Sequence, residues 1–428
     1  MDFRLCGMTL RDFKNSPVNF GSINQDYKFM INNNNQNNNA ETADTKDKGA
    51  GHPHGMPGVM PDASILGSMA GTAGKKNELR LVFWELTARC NLKCIHCRAE
   101  AQEERQKDEL STEECFAVID NLCSFSNPIL ILTGGEPLYR QDIFEIASYA
   151  SNKGLRVALA TNGTLIDKET AIRIKECGIK RVAISLDGSN AQTHDSFRMI
   201  PGSFDAAFDG IKNLQNEGME VQVNTTIAKH NQDEVKDILK LVLENNLKAL
   251  HIFMLVPVGC GVQIADTQML DKQKYENILS WFYDKTMEFK DKLELKATCA
   301  PHYFRIMHKR AKDEGISISP KTHGMAAVTR GCLAGSSVMF ISRKGDVQPC
   351  GYLPALAGNV LKESAKKIWE SSEVFANLRD LSLLKGKCGI CEYKKVCEGC
   401  RARAYYETGD YLAEEPYCIY EPSLIQNK

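Results

Sequence analysis

The run from Leu79 to Ala101 reads LRLVFWELTARCNLKCIHCRAEA. An apolar, β-rich stretch leads into three cysteines spaced Cys90-x3-Cys94-x2-Cys97. Thiolates this close in sequence can converge on one metal centre. Three of them leave one iron of a cubane [4Fe–4S] cluster without a protein ligand, and an open corner is what a substrate-binding metal site requires. The competing reading is a structural zinc knuckle completed by His96. That ring lies between two of the ligands in the same tight loop, where its reach is poor.

Outward from this run, short apolar stretches alternate with helical patterns. The strand candidates are residues 79–86, 128–133, 155–160, 180–186, 219–227 and 249–255. Amphipathic segments lie between them at 111–125, 141–154, 168–178 and 203–217, the first opening with the capping-box pair Ser111 and Glu114. Six strand–helix units with nearly all-apolar strands predict an α/β fold, a parallel sheet covered by helices. An open doubly wound sheet and a partial (β/α) barrel both satisfy the pattern, and in either the chemistry belongs at the C-terminal strand ends. The other motifs fall there: Gly134-Gly135-Glu136-Pro137 after the second strand, Thr161-Asn162-Gly163 after the third, Ser185-Leu186-Asp187-Gly188 after the fourth, and Asn224 on the fifth. Taken alone, the first is readable as a turn and Ser185 as a strand-end cap. Phe83 and Trp84 read as core.

The chain has 428 residues, 43% apolar and 25% charged, an ordinary globular composition. That length suits two or three domains. Its 53 Lys and Arg balance 54 Asp and Glu, a net charge of −1. Nucleic-acid binding needs a clustered basic excess, so no such partner is expected. No stretch approaches the roughly 18 apolar residues of a membrane span. The polar N-terminus does not read as a secretory leader, and the expected location is the cytoplasm. There the 16 cysteines do not make a disulfide framework, because the compartment keeps thiols reduced. Residues 1–78, rich in Asn, Gly and Pro, read as a disordered low-complexity arm in which Cys6, His52 and His54 are incidental. Residues 79–300 and 301–428 are the two expected domains. Cys115, Cys123 and Cys177 fall in expected helices and read as small buried hydrophobes.

Together, Cys-x3-Cys-x2-Cys, Gly-Gly-Glu-Pro and the SLDG strand end resemble the radical S-adenosylmethionine (SAM) superfamily, over roughly residues 79–300. The resemblance implies a partial (β/α)6 radical SAM barrel, with Cys90, Cys94 and Cys97 holding a [4Fe–4S] cluster whose open iron binds SAM. It maps Gly134, Gly135 and Glu136 onto backbone and carboxylate contacts to the methionine ammonium. Ser185 and Asp187 map onto the surroundings of the carboxylate and ribose, and Asn224 onto a ribose or carboxylate contact. Further on, Cys332-x12-Gly345-x4-Cys350, Cys388-x2-Cys391-x5-Cys397-x2-Cys400 and Cys418 resemble the SPASM extension, which carries auxiliary iron–sulfur clusters. The usual final pair in that pattern is spaced x3, where this chain has x2. The resemblance implies one auxiliary [4Fe–4S] cluster on Cys388, Cys391, Cys397 and Cys418. Cys332, Cys350 and Cys400 would belong to a second, one ligand short, with Cys260 and Cys299 as candidates to complete it. A zinc ribbon built from the CxxC pairs is the competing reading.

The segment from Cys388 to Pro422, with Leu79–Ala101, HIFMLVPVGCG (251–261) and LKATCAPHYFRI (295–306), is similar to the tetrapyrrole-modifying branch of these enzymes. Within it the chain resembles the haem b synthases of the alternative, sirohaem-derived pathway. Sister enzymes of the branch carry Tyr after the third cysteine, where this chain has Arg98. The resemblance implies oxidative decarboxylation of two propionates of iron-coproporphyrin III to vinyl groups, giving haem b. It also implies an auxiliary cluster as electron acceptor and an external donor such as flavodoxin or ferredoxin. Propionates need cationic partners, for which Arg98, Arg198 and Arg305 are candidates. His251, His302 and His308 are candidate ligands of the porphyrin iron, and Cys260 and Cys299 candidate site-lining thiols. The alternatives are a sister activity (12,18-didecarboxysirohaem deacetylase or a haem d1 synthesis enzyme), a SPASM peptide maturase, and a multicluster electron carrier. A maturase usually has a peptide-recognition domain before the barrel, where this chain has its low-complexity arm. An electron carrier leaves GGEP and the SLDG strand end without a purpose.

Overall fold

The computed structural model describes residues 77–426. The arm expected over residues 1–78, with Cys6, His52 and His54, lies outside the described residues except for its last two positions. All six expected strands form within two residues of the expected limits: β1 (Leu81–Glu85), β2 (Ile129–Thr133), β3 (Arg156–Thr161), β4 (Arg181–Ser185), β5 (Val221–Ile227) and β6 (Ala249–Met254). They pair in parallel and in sequence order. Helices α1 (Thr112–Cys123), α2 (Ile143–Asn152), α3 (Lys168–Glu176), α4 (Ala191–Arg198), α5 (Ser203–Asn216) and α6 (Val235–Glu244) lie between the strands. The capping box forms as expected: Glu114 N–H donates to Ser111 Oγ (3.2 Å) and Ser111 N–H to Glu114 Oε2 (2.8 Å).

Four further strands extend the sheet beyond the six expected units. After α7 (Lys272–Phe289) comes β7 (Glu294–Thr298), parallel to β6. After α8 (His302–Asp313) and further short helices comes β8 (Val338–Ile341), parallel to β1 on the sheet's other side. The antiparallel β9 (Asp346–Gln348) and β10 (Gly358–Asn359) continue outward from β8. β7 reads ELKAT, two charges in five residues, so no apolar run announces it. β8 is well separated from the repeating units, and one sheet therefore runs through both expected domains. Glu294 on β7 reaches Arg181 on β4 at 2.8 Å, three strands away, which only a curled sheet allows. β7 ends the sheet on one side, and β8 with its hairpin closes the other, leaving an open seam between them.

Alternate strand residues serve two faces. Val82, Trp84, Leu130, Leu132, Leu159, Val182, Ile184 and Val223 are buried against the helices in one continuous core. The other set lines the lumen, with Phe83 half-buried there, so only Trp84 of the expected core pair belongs to the helix-facing core. Cys115 and Cys177 are buried as expected, and Cys123 packs at the core's edge. Among the described residues no helix is long and apolar enough to cross a membrane.

Candidate active site and thiol groups

The loop after β1 presents Cys90, Cys94 and Cys97, and the ends of β2, β3 and β4 brace it. A Cβ on Gly134 would meet Thr87 O at 2.6 Å, and one on Gly135 would meet Ala88 O and Arg89 O at 2.5 Å. The turn after β2 must be glycine to lie this close. It is tied to the loop by Gly135 N–H to Thr87 O and Glu136 N–H to Arg89 O, both 2.7 Å. Glu136 is fully buried, and its carboxylate accepts from Thr161 Oγ1 (2.7 Å), Asn162 N–H (2.8 Å) and Leu138 N–H (3.1 Å). Burial pushes it up to about 6. The carboxylate expected to meet the methionine ammonium is thus committed to the chain's own turns.

Asp187 is committed in the same way. It is fully buried; Oδ1 accepts from Thr226 N–H (2.7 Å), and Oδ2 faces Arg198 at 2.6 Å and His96 Nε2 at 3.3 Å. The Arg198 guanidinium holds this carboxyl far below the usual range against the opposing effect of burial. Arg198 also reaches Cys94 Sγ at 3.6 Å, and the end of α4 receives two loop bonds, Lys93 N–H to Arg198 O (3.3 Å) and Ile95 N–H to Phe197 O (3.1 Å). His96 stacks on Phe197 with ring centroids 4.1 Å apart. Here His96 is a brace, and Arg198 is taken up by Asp187 and Cys94 and is not open to a substrate propionate. In the sequence Asn162 stands out only as part of a strand end. Its side chain donates to Asn91 Oδ1 (2.8 Å) and lies 3.8 Å from Cys90 Sγ.

Ser185, Asn224, His251 and Lys296 face one another in a single rung across β4 to β7. Gln222 Nε2 donates to Asn224 Oδ1 (2.7 Å) and lies 2.9 Å from His251 Nδ1, while His251 Nε2 is 3.3 Å from Glu294. Both ring nitrogens of this candidate iron ligand are therefore engaged.

Whether the three thiols suit an iron–sulfur cluster turns on their surroundings. Burial raises Cys90 to about 12 and Cys94 to about 11, and neighbouring thiols add to each shift. A cationic iron centre reverses that preference, since a coordinating thiol is deprotonated outright. Polar hydrogens are already aimed at the sulfurs: Leu92 N–H at Cys90 (3.4 Å), with Asn162 and Arg198 as above. Among the described residues no three His, Cys, Asp or Glu side chains are placed to hold a single metal ion. The donors, with Cys94 buried and Cys90 and Cys97 half-buried beside it, fit a larger thiolate-bound centre.

Beyond β7 the thiols form two further groups. Cys388, Cys391, Cys397 and Cys418 line one cavity together with His302 and Arg305. Arg401 Nη2 lies 3.6 Å from Cys388 Sγ, and Glu415 N–H donates to the same sulfur at 3.4 Å. His302 and Arg305 thus turn away from the lumen, against their expected substrate roles; Arg305 pairs with Glu276 and lies over the Tyr420 ring. His308 is half-buried further along α8. The second group is Cys332, Cys350 and Cys400 with Cys299 as fourth member. Burial and mutual repulsion raise Cys332 to about 11 and Cys350 to about 12, and Cys299 well above its ordinary value. Cys260 is placed elsewhere: its N–H donates to Cys97 O (2.9 Å) beside the first loop. Cys299 follows β7, Cys332 precedes β8 and Cys350 follows β9, so this group bridges the two sides of the seam. Arg98 lies nearby, 2.8 Å from Glu85 and over the Phe340 ring at 4.7 Å.

The Radical SAM superfamily profile matches residues 84–257, and the SPASM profile, an iron–sulfur cluster-binding domain, matches residues 332–401. The chain is 53% identical over 346 residues to the AdoMet-dependent heme synthase of Methanosarcina barkeri, covering 81% of this chain and 98% of that one. It is 33% identical over 357 residues to the Fe-coproporphyrin III synthase of the same organism, covering 80% and 88%. In fold it is similar to Streptococcus suis SuiB bound to S-adenosylmethionine, with a TM-score of 0.64 at 16% identity over 80% of this chain and 78% of that one. The chain belongs to the SPASM-bearing radical SAM enzymes, in one family with the AdoMet-dependent heme synthases.

Proposed function

We propose that this protein converts two propionates of iron-coproporphyrin III to vinyl groups, giving haem b in anaerobic haem biosynthesis. The observation that carries this reading is the contrast in likeness: 53% identity to a heme synthase along nearly its whole length, against 33% to the Fe-coproporphyrin III synthase of the same organism. The placement of the thiol groups supports it. Cys90, Cys94 and Cys97 hold the SAM-binding [4Fe–4S] cluster. Cys388, Cys391, Cys397 and Cys418 hold one auxiliary cluster, and Cys299, Cys332, Cys350 and Cys400 a second. The first loop and its braces lie in the segment 79–300, and the auxiliary thiols except Cys299 in 301–428.

Per side chain, R–CH2–CH2–COO⁻ gives R–CH=CH2, CO2, one hydrogen atom and one electron. SAM at the open iron supplies the radical that takes the hydrogen atom, and the auxiliary clusters supply a sink for the electron. The protein's own residues do the rest. The main chain of Gly134 to Glu136 meets the methionine ammonium, because the Glu136 carboxylate is already committed. Ser185 and Asn224 present lumen-facing polar groups to the carboxylate and ribose, while Asp187 acts through Arg198 and His96, keeping the cysteine loop in place. Arg198 and Asn162 direct N–H groups at cluster thiolates, a setting that favours the charged sulfur. The cycle needs a one-electron donor such as flavodoxin or ferredoxin, and the cytoplasm is its expected setting.

Anaerobic turnover of the reconstituted protein with SAM, a reductant and iron-coproporphyrin III, read by mass spectrometry, tests the assignment. Formation of two vinyl groups with 5′-deoxyadenosine is the expected result. An unchanged porphyrin beside loss of acetates from didecarboxysirohaem would move the protein to the sister activity.

A further inference from the structure

Two of the three expected propionate partners are engaged elsewhere: Arg198 with Asp187 and Cys94, Arg305 beside the Cys388 cavity. The cations that a polycarboxylate needs stand instead at the two sides of the seam. On β7, Glu294 and Lys296 project from the same face. Glu294 bonds Arg181 (2.8 Å) and His251 (3.3 Å), which fixes that face as the lumen. Lys296 stands one step closer to the C-terminal strand ends, in the rung with Asn224, and two strand spacings put the two backbones about 10 Å apart. The carboxylate nearest in its influence, Glu294, is already bracketed by Arg181 and His251, and Arg181 also reaches Glu220 at 3.3 Å. Burial lowers the Lys296 pKa, as expected of an ammonium without a close counter-charge.

The opposite side carries a complementary arrangement. Glu85, at the end of β1, accepts from Arg98 (2.8 Å) and from Arg343 (3.0 Å), which follows β8. Two guanidiniums share Glu85, and the other carboxylate that Arg343 influences, Asp108, is itself paired with Lys344, so a surplus positive charge remains; the Arg343 Nε–H is buried without a hydrogen-bond partner. Arg98 also lies close enough to Cys97 and to Cys350 to influence both thiols, between the two metal centres proposed above. The lumen wall opposite the seam, across β2 to β4, is small and apolar at Ile131, Ala158, Ala160 and Ala183. A flat macrocycle fits such a wall better than a peptide with its many backbone polar groups.

We propose that Lys296 on β7 and the Arg98–Arg343 pair beside Glu85 form a two-sided carboxylate clamp across the seam, holding propionates of a flat polycarboxylate and thereby setting which side chains face the radical site. This rests on the tetrapyrrole reading and adds to it the residues that position the substrate. Titration of the anaerobic, cluster-loaded protein with iron-coproporphyrin III, followed by porphyrin absorbance, tests it. Lys296→Met and Arg343→Met are each expected to weaken binding about tenfold or more, the effect of losing a charge-assisted hydrogen bond. Lys296→Arg restores most of the affinity. The neutral tetraamide of the same porphyrin binds wild type and Lys296→Met alike, a discrimination that a merely misfolded variant would not make. Iron and sulfide content confirms that the clusters are in place. Equal affinity of wild type and both Met variants for the acid, or equal weakening of acid and amide, overturns the clamp while leaving the tetrapyrrole reading intact. Failure of the wild type to bind the porphyrin removes the tetrapyrrole reading, and the clamp with it.

Discussion

The three thiols after β1 come from one short loop, Cys90 to Cys97, and the residues that stiffen it come from elsewhere: Glu136 after β2, Asn162 after β3, Asp187 after β4 and Arg198 at the end of α4. The eight thiols from Cys299 onward are drawn from 120 positions of chain, Cys299 to Cys418, and their supports are largely local. Arg403 pairs with Glu415 at 3.0 Å, and Glu415 Oε2 accepts from Cys400 N–H at 2.6 Å. The difference has a chemical consequence. On the ligand sets proposed above, the loop stiffened from outside would supply only three ligands and leave a corner of its metal open, whereas four thiols gathered from separate segments would enclose theirs. Openness suits a site that binds a reactant, and closure suits one that passes electrons.

The largest expected effects separate these designs directly. Cys94→Ala is expected to abolish 5′-deoxyadenosine formation and turnover together, because the SAM-binding centre loses one of its three thiols. Cys299→Ala is expected to lower iron by about four atoms per chain while 5′-deoxyadenosine still forms, since a [4Fe–4S] cluster normally takes four thiolates. Cys260→Ala, at a half-buried cysteine beside the first loop, should leave the iron content unchanged. Iron analysis with electron paramagnetic resonance of the reduced proteins reads all three. A Cys299→Ala protein with full iron would remove Cys299 from the second auxiliary group and break the contrast between three and four thiols.

What the sequence conceals follows the same division. The cysteine spacing, the six apolar strands and the motifs at their ends were legible because each is a local pattern, an alternation or a spacing over fewer than a dozen residues. β7 escaped because ELKAT, though it alternates, turns only Leu295 and Ala297 to the helix-facing core and carries its charges into the lumen, so it lacks the apolar run that marked the other strands. Cys299 was one of two candidates, and nothing in its sequence neighbourhood distinguishes it from Cys260; only the β6–β7 crossover and the arrival of β8 bring Cys299 beside Cys332, Cys350 and Cys400. The committed states of Glu136 and Asp187 were invisible as well. A carboxylate in a motif looks the same whether it faces a ligand or, as here, the chain's own donors: the turn after β3 for Glu136, and Arg198, His96 and the Thr226 N–H for Asp187.

The next effect down concerns the buried ion pairs that hold each site. Arg198→Met takes away the guanidinium that pairs buried Asp187, leaving His96 and the Thr226 N–H, and Arg403→Met takes away that of Glu415, leaving His302 and the Cys400 N–H. Removing one partner of a buried pair costs about 3–5 kcal/mol, because the remaining charge keeps its desolvation penalty. Urea unfolding of the two variants should therefore show similar losses. Function should divide them: Arg198→Met also takes a donor from Cys94 and is expected to slow SAM cleavage, whereas Arg403→Met is expected to spare it. Equal loss of SAM cleavage in both would mean that the two sites share their supports.

The smallest effect is a pH dependence located in the support of the first site. His194 on α4 is buried, and its Nδ1 accepts the Asp187 N–H at 3.1 Å, so the folded protein needs this nitrogen unprotonated. Burial, helped by nearby Arg198, lowers the pKa from 6.5 to about 4. The unfolded chain takes up the proton near pH 6.5 and the folded chain only near 4, so stability is full above 6.5, falls through the interval, and levels off below 4. Between pH 6.5 and 5 the fall attributable to this ring is about 2 kcal/mol. His96, His230 and His251 are shifted in the same direction, so the wild-type slope sums several rings. The informative quantity is the difference from His194→Asn, which keeps an acceptor near the Asp187 N–H but cannot titrate. Its urea midpoint should fall less steeply from pH 6.5 to 5 than that of the wild type. Parallel slopes would mean that His194 already carries its proton at neutral pH, and the Asp187 backbone would then need another acceptor to hold its place beneath the cysteine loop.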